Sequence, residues 1–298
     1  MEKINANVFL KVYETGSFRK AAEILGYTQA GISYIVGAME EETGLNLFIR
    51  EHGGVTLSPE GEAILPYMRQ YANWEHQLTQ RIEELKGLES GTVRVQIFNS
   101  ISVHWIPGIV RAFHDDFPGI KIELTTEEDG AKAEEMVVSG QVDCSFFLTE
   151  VKSNIDTFPL ITEHLMAVVS PDHPLADRES FPVSELGNYP HISMKYDDHT
   201  GINDIFRKYG VPLNPVYSMD TDNAALAMVS NGLGYCICAE LLLQDNPYNV
   251  KALKFDEPQL RTISIGTRSF DTCSKACRKF IEYTRSWVKE HNSNSLVK

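Results

Sequence analysis

Residues 18–39 constrain this chain more than any other stretch. The run Phe18-Arg19-Lys20-Ala21-Ala22-Glu23-Ile24-Leu25 favours a helix and leads into Gly26-Tyr27. Thr28 then starts a second amphipathic stretch that ends near Met39. Ala22 precedes Gly26 by four residues, and Ile32 follows six later. Two helices crossing at a steep angle need a small residue where they touch, a glycine in the tight turn, and a branched apolar residue facing back. Ala22, Gly26 and Ile32 fill those roles, so the spacing predicts a helix-turn-helix. The second helix of such a pair can lie in a DNA major groove, which points to a DNA reader rather than an enzyme.

The pattern extends well beyond that pair. Phe9 with Val12, Gly16-Ser17-Phe18, Ala21-Ala22, Leu25, Thr28-Gln29-Ala30 and Ile32-Ser33 come first; Glu40, Gly44, Leu47-Phe48, Arg50, Val55, Leu57 and Gly61 follow in order. This ungapped series over about sixty residues resembles the N-terminal signature of LysR-type transcriptional regulators. The resemblance implies a winged helix-turn-helix over residues 1–58.

Charge argues the other way. The chain carries a formal net charge of −14. Residues 1–60 hold five basic residues (Lys3, Lys11, Arg19, Lys20, Arg50) against eight glutamates, a formal −3. Phosphate neutralisation by Lys and Arg supplies much of DNA affinity. Placement matters more than the total: Arg19 and Lys20 lie on the first helix of the pair, and Arg50 precedes the wing. Glu40-Glu41-Glu42 falls at the far end of the second helix. Weak non-specific binding is expected, with affinity leaning on dimer or tetramer avidity.

For DNA contact the expected residues are Gln29, Ala30, Ser33 and Tyr34 on the first turns of the recognition helix. Gln can read adenine in bidentate fashion, and Ser can reach a base or a phosphate. Thr28 is expected to cap that helix, its backbone meeting phosphate. Arg19 joins the set by position. Arg50 matches the wing arginine of the resembled family, and His52 in Glu51-His52-Gly53-Gly54 is the wing's other candidate.

Ser58-Pro59-Glu60 reads as a helix start, with a cap, a proline at the first position and an acid near the positive end. Ile64, Met68, Tyr71, Leu78, Ile82 and Leu85 follow at alternating spacings of four and three, with Glu75 in the missing slot. That is a heptad seam, expected to dimerise the chain over residues 59–88. The alternative is a helix packed on its own domain. Pro66 is expected to kink it, and 86–91 reads as a hinge.

Beyond residue 92 short strands alternate with helices: Val93–Ile97, a helix with Ile106, Ile109, Val110 and Phe113, then Ile120–Leu124, a helix over 130–140, and Cys144–Leu148. This βαβαβ order predicts a largely parallel sheet with ligand chemistry at the carboxyl ends of its strands. Met166–Ser170 begins a second such subdomain, and Ile263-Ser264-Ile265 returns to the first. Pro107, Phe113, Phe117-Pro118, Gly140 before Asp143, His173-Pro174-Leu175, Val229, Gly232 and Gly234 resemble landmarks of the LysR-type effector domain. The resemblance implies two α/β lobes like those of periplasmic binding proteins, with a small-molecule cleft between them. Lobe I is expected at 92–162 and 264–298, lobe II at 163–263.

Strand ends supply the effector candidates. Asn99, Ser100 and Ser102 follow the first strand in a loop that commonly cradles a ligand in the resembled family. Thr149 follows the third strand, Lys195 and Tyr196 a strand of lobe II, and Asp222 and Asn223 open a later helix. Each could equally be a cap or loop residue. Phe146-Phe147-Leu148 is expected to give that wall its apolar character, and His104 to sit exposed in a loop.

Five cysteines, an odd number, argue against a disulfide framework. Cys236 with Cys238, or Cys273 with Cys277, could form a redox or metal sensor, though buried cysteine as a small hydrophobe is the commoner case. No Ser-His-Asp order, phosphate loop or His-rich metal spacing stands out, so neither catalysis, nor a metal, nor a cofactor is expected. No apolar run reaches ~18 residues and the N-terminus lacks a signal peptide's pattern, so a cytoplasmic protein is expected. The expected partners are a double-stranded DNA operator, a small-molecule effector, further copies of the chain as dimer and dimer of dimers, and RNA polymerase. The competing class is a solute-binding or enzymatic module.

Overall fold

The structure is a computed structural model, and it describes residues 4–51, 54–85 and 90–292. The described chain divides into two compact units, one ending with the helix at Leu85 and the other starting at Ser90. His52, Gly53 and residues 86–89 of the expected hinge at 86–91 lie outside the described residues, and Gly91 of that hinge opens a strand instead.

In the first unit α1 spans Ala6–Thr15, α2 Phe18–Leu25 and α3 Gln29–Thr43. Each begins on a polar cap that accepts a backbone N–H of its first turn: Asn5 from Val8, Ser17 from Lys20, Thr28 from Gly31. Such caps satisfy donors that a helix leaves orphaned. The turn between α2 and α3 passes through Gly26 at φ 71°, a left-handed conformation that glycine adopts without a Cβ penalty. Ala22 and Ile32 are both buried beside Phe9, Val12, Val36 and Met39. That contact is what the Ala-Gly-Ile spacing predicts.

Two short antiparallel strands follow, β1 (Phe48–Glu51) and β2 (Gly54–Leu57), with Arg50 paired to Val55. The wing is tied to the α1–α2 turn by the Val55 N–H, which donates to the Gly16 carbonyl at 2.9 Å. Helix α4, Pro59–Leu85, starts where Ser58 Oγ accepts the Gly61 N–H. A Cβ on Gly61 would stand 2.2 Å from the Leu47 carbonyl oxygen, so only glycine permits this approach. The helix is continuous through Pro66.

The proposed seam splits in two. Ile64 and Met68 pack into the core of their own domain, Met68 being 6% exposed. Tyr71, Leu78, Ile82 and Leu85 stay exposed, as do Tyr67 and Trp74. Met68 therefore belongs to the alternative, a helix packed on its own domain. The exposed stripe runs Tyr67, Tyr71, Trp74, Leu78 and Leu85, still at spacings of four and three, with Arg81 in the open slot.

The second unit opens with β3 (Gly91–Ile97), α5 (Asn99–His104), α6 (Ile106–Asp116), β4 (Ile120–Thr126), α7 (Gly130–Val138) and β5 (Cys144–Phe147). Strand β3 pairs in parallel with β4 and β5. Then comes β6, a 14-residue strand over Asp156–Val169. Lobe II adds β7 (Ile192–Met194), α8 (Ile202–Lys208), β8 (Tyr217–Met219), α9 (Asp222–Ser230), β9 (Cys236–Ala239) and β10 (Lys251–Lys254). The chain returns along β11 (Leu260–Thr267) and closes with α10 (Lys275–His291).

The sheet is mixed rather than largely parallel. Its order is β10-β6-β11-β5-β3-β4, with β9 also on β6, and every pairing of β6, β9, β10 and β11 is antiparallel. Met166–Val169 does not begin a subdomain but ends β6, whose first half pairs with β11 and whose second half pairs with β9 and β10. Pro159 and the charged residues after it disguise the strand. Pro159 stands opposite the register shift between Ile263 and Ser264, the kind of irregular position where a strand tolerates proline. One core packs Val93, Phe113, Phe146 and Phe280, and another packs Leu165, Phe181, Phe206 and Tyr235.

Candidate functional site

On the first unit, the N-terminal turns of α3 present Gln29, Ala30 and Tyr34 to solvent, Tyr34 being 77% exposed. Tyr27, in the turn just before α3, is exposed as well and was absent from the expected set. Thr28 caps the helix, its Oγ1 accepting the Gly31 N–H at 3.0 Å. Arg19 is exposed on α2 and ion-paired to Glu23 at 3.8 Å. Arg50 is less free than the wing reading implied. Its Nη2 donates to Ser33 Oγ at 3.2 Å, and its guanidinium carbon lies 4.5 Å from the centre of the Phe18 ring. A guanidinium over an aromatic face is held electrostatically. Arg50, Ser33, Gln29 and Tyr34 thus form one surface built from α3 and β1. Glu40 is occupied elsewhere, its Oε1 accepting the Leu47 and Phe48 N–H groups.

On the second unit a cleft of about 380 Å³ opens between the lobes. Five of the eight effector candidates line it: Asn99, Ser100, Tyr196, Asp222 and Asn223. Asn99 and Ser100 reach it from a helix, not a loop, because α5 begins immediately after Phe98. Three candidates do not line it. Ser102 turns its hydroxyl back to the Asn99 carbonyl at 2.7 Å. Thr149 lines other surface hollows. Lys195 is exposed and pairs with Asp220 at 2.5 Å. Leu148 lines the cleft, whereas Phe146 is fully buried in the lobe I core. His104 ends α5 half-buried.

The cleft's electrostatics were not expected. Glu128, Asp197 and Arg261 line it together with Asp222. Asn99 Nδ2 donates to Asp222 Oδ2 at 3.1 Å, and the Asn99 backbone N–H donates to Glu128 Oε1 at 2.8 Å. The protein's own carboxylate therefore covers the start of α5. Burial pushes Glu128 up to about 7, with Asp222 and Glu127 adding and the Asn99 N–H opposing. Burial does the same for Asp197, also to about 7, with Asp222 and Asp198 adding and the Met194 N–H opposing. Asp222 is raised by burial and lowered by Asn99 and Arg261. Arg261 is committed through Nε to Glu163 Oε1 at 2.8 Å, a buried pair whose other carboxylate oxygen accepts the Leu241 N–H. Sequence reasoning missed Glu128 and Asp197 because each sits in a polar run that reads as solvated surface, Glu127-Glu128-Asp129 and Asp197-Asp198.

The cysteines give the redox alternative no support. Cys236 and Cys238 lie side by side on β9, their sulfurs 3.4 Å apart, both buried. The thiols of Cys238, Cys273 and Cys277 are all raised, Cys238 and Cys273 first by their neighbouring cysteines and then by burial, Cys277 first by Cys144. A raised thiol holds little thiolate, the reactive form.

Residues 5–62 match the family described as bacterial regulatory helix-turn-helix protein, lysR family, and residues 86–289 match the LysR substrate binding domain. The chain belongs to the LysR family of DNA-binding transcriptional regulators with an effector-binding domain. A similar protein is an uncharacterized HTH-type transcriptional regulator, YvbU, of Bacillus subtilis (strain 168). It is 28% identical over 282 residues, which cover 93% of this chain and 96% of that one. Among solved structures the fold is shared with full-length OxyR from Pseudomonas aeruginosa (TM-score 0.71, 18% identity, 95% of this chain and 93% of that one covered). It is also shared with full-length CbnR complexed with target DNA (TM-score 0.69, 18% identity, 96% and 100% covered). Among the described residues no helix is long and apolar enough to cross a membrane.

Proposed function

We propose that this regulator reads an interrupted palindrome with the α3 surface of two copies of the chain, and assembles further as a dimer of dimers. Gln29, Ala30, Ser33 and Tyr34 face the bases, and Thr28, Arg19 and Arg50 set the helix on the backbone. The observation that carries this reading is the exposed first turns of α3 lying beside a wing arginine already fixed in place. Phosphate contacts of that kind position a helix while base contacts specify. A small molecule in the interlobe cleft shifts the assembly between two states, which requires different affinity for each. The domain limits 1–58, 59–88 and 92–298 belong to the same reading, as does a cytoplasmic location. The cleft supports it by size, since ligand sites begin at about 300 Å³, and by mixing apolar walls with a few convergent polar groups.

The test is DNA selection with the purified full chain, followed by Gln29→Ala. That variant should lose about 1–3 kcal/mol of discrimination between operator and random DNA with its thermal unfolding unchanged. An unchanged preference would remove α3 as the reading element.

A further inference from the structure

The interlobe cleft holds more negative charge than the protein itself answers. Glu128 enters from the loop after β4, Asp197 from the turn after β7, and Asp222 from the first position of α9. Around them stand Glu127 and Asp198, which add to the repulsion, and Asp220, whose charge Lys195 meets outside. The cation lining the cleft is Arg261, and Glu163 already takes its Nε–H.

One atom points to a missing partner. Asp197 is 2% exposed, and its Oδ2 accepts the Met194 N–H at 2.9 Å. Its Oδ1 is buried and has no hydrogen-bond partner among the described residues. Buried carboxylate oxygens are costly when left unsatisfied. The remaining walls are of another kind: Leu148, Met194, Ile202, Ala239 and Leu242 are apolar. Nor do His, Cys, Asp and Glu side chains among the described residues cluster closely enough to ligate a metal ion. The volume, about 380 Å³, is an order of magnitude beyond the roughly 30 Å³ share of one water.

We propose that the cleft takes a small organic cation, a primary ammonium carried on a short apolar body, with Asp197, Asp222 and Glu128 as its counter-charges. This rests on the reading of the cleft as the effector site. An ammonium offers three donors, which suits the open Oδ1 of Asp197 and its two acidic neighbours. The apolar body lies against Leu148, Met194 and Leu242. The anion position at the start of α5 is filled by Glu128, so a ligand that is only an anion meets a carboxylate there. The terminal nitrogens of Arg261 can receive a carboxylate on the same ligand, so a plain amine and an amino acid share the recognised chemistry. The ionisation of Glu128 and Asp197 near 7 couples binding to protons: an ammonium favours the carboxylate forms and displaces protons from them.

The experiment is calorimetric titration of the full chain with four probes of equal length: pentylamine, pentanol, pentanoate, and the amino acid bearing its amine and carboxylate at opposite ends. The amine should bind and the alcohol and the acid should not; the amino acid separates the two sources, binding more tightly than the amine if Arg261 takes a carboxylate. Asp197→Asn should weaken the amine about tenfold or more. Ser102→Ala, outside the cleft, should change nothing. Amine affinity should rise between pH 6 and pH 8 with release of protons. Binding of pentanoate without pentylamine, or an amine affinity indifferent to Asp197→Asn, overturns the proposal. So does an operator affinity that follows pH through Asp197 while no amine binds, since the ligand is then the proton. Thr200→Trp, which fills the cleft, should alter operator affinity with no ligand added. If it does so and no amine binds, the cleft still regulates and only the cation is lost; if it does not, the effector reading falls as well.

Discussion

Asn99, the first residue of α5 in lobe I, donates its side-chain N–H to Asp222, the first residue of α9 in lobe II, across 3.1 Å. The bond spans the cleft and joins two helix starts that are 123 residues apart in the chain. It serves the ionised form of Asp222, since it lowers a carboxyl that burial raises.

Asn99→Ala should therefore reduce stability mainly where Asp222 is charged. A hydrogen bond to a charged group is worth about 1.5–3 kcal/mol. Thermal unfolding should show a loss that shrinks as the pH is lowered until Asp222 takes a proton. Asn99→Asp, which sets a like charge beside Asp222, should lose more while both are charged and recover more on acidification. A loss that does not change with pH would mean that the bond does not hold the lobes.

Helix α4 makes opposite demands on two of its apolar residues. Met68→Glu buries an unpaired charge in the core with Phe9 and Ile32 and should unfold the first unit, read as lost helical circular dichroism. Leu78→Glu, at a position 62% exposed, should leave that signal and the melting of the single chain intact while halving the mass seen by light scattering. If the Leu78 variant keeps its mass, the stripe from Tyr67 to Leu85 is not the dimer contact.

The pH profile of stability should be asymmetric. Glu128 and Asp197 have ordinary values of 4.5 and 3.8, and both are raised to about 7 in the folded protein. Their contribution is complete below the unfolded values and lost as pH rises through about 7. His191 runs the other way: burial beside Phe206 and Tyr235 lowers it from 6.5 to about 4, and neither ring nitrogen has a partner among the described residues. Its contribution is complete above 6.5 and lost as pH falls toward 4. The melting temperature should rise as pH falls through about 7, and rise less steeply below about 6.5, where His191 begins to oppose the two acids. Asp197→Asn should make this rise shallower, leaving the part due to Glu128, and a wild-type melting temperature that does not change between pH 8 and pH 6 would contradict the assignment.

The first unit was legible because its determinants are local. Caps at Asn5, Ser17 and Thr28, left-handed glycines at helix ends and a period of 3.6 all act within a few residues of one another. The second unit was legible only in part. Strand β6 hid behind Pro159, whose tolerance depends on a register shift against β11, a hundred residues away in the chain. Asn99, Ser100, Tyr196, Asp222 and Asn223 were found because strand and helix ends are a good guide to clefts. Glu128, Asp197 and Arg261 were not, since what singles them out is burial against distant elements, and a carboxylate in an acidic run looks the same on paper whether wet or dry. The seam failed at Met68 because the start of α4 packs on its own domain while its later apolar residues stay exposed, and periodicity alone does not say where one gives way to the other.

On the proposed reading, in which Ser33 faces the bases and Arg50 the backbone, the bond from Arg50 to Ser33 makes operator preference and operator grip a single trait. A change at Ser33 made to favour another base also releases the arginine that steadies the wing. A change at Arg50 likewise frees the hydroxyl of Ser33 to turn elsewhere. On that reading a new operator calls for paired substitutions at these two positions, while Gln29 and Tyr34, which have no such tie among the described residues, vary one at a time.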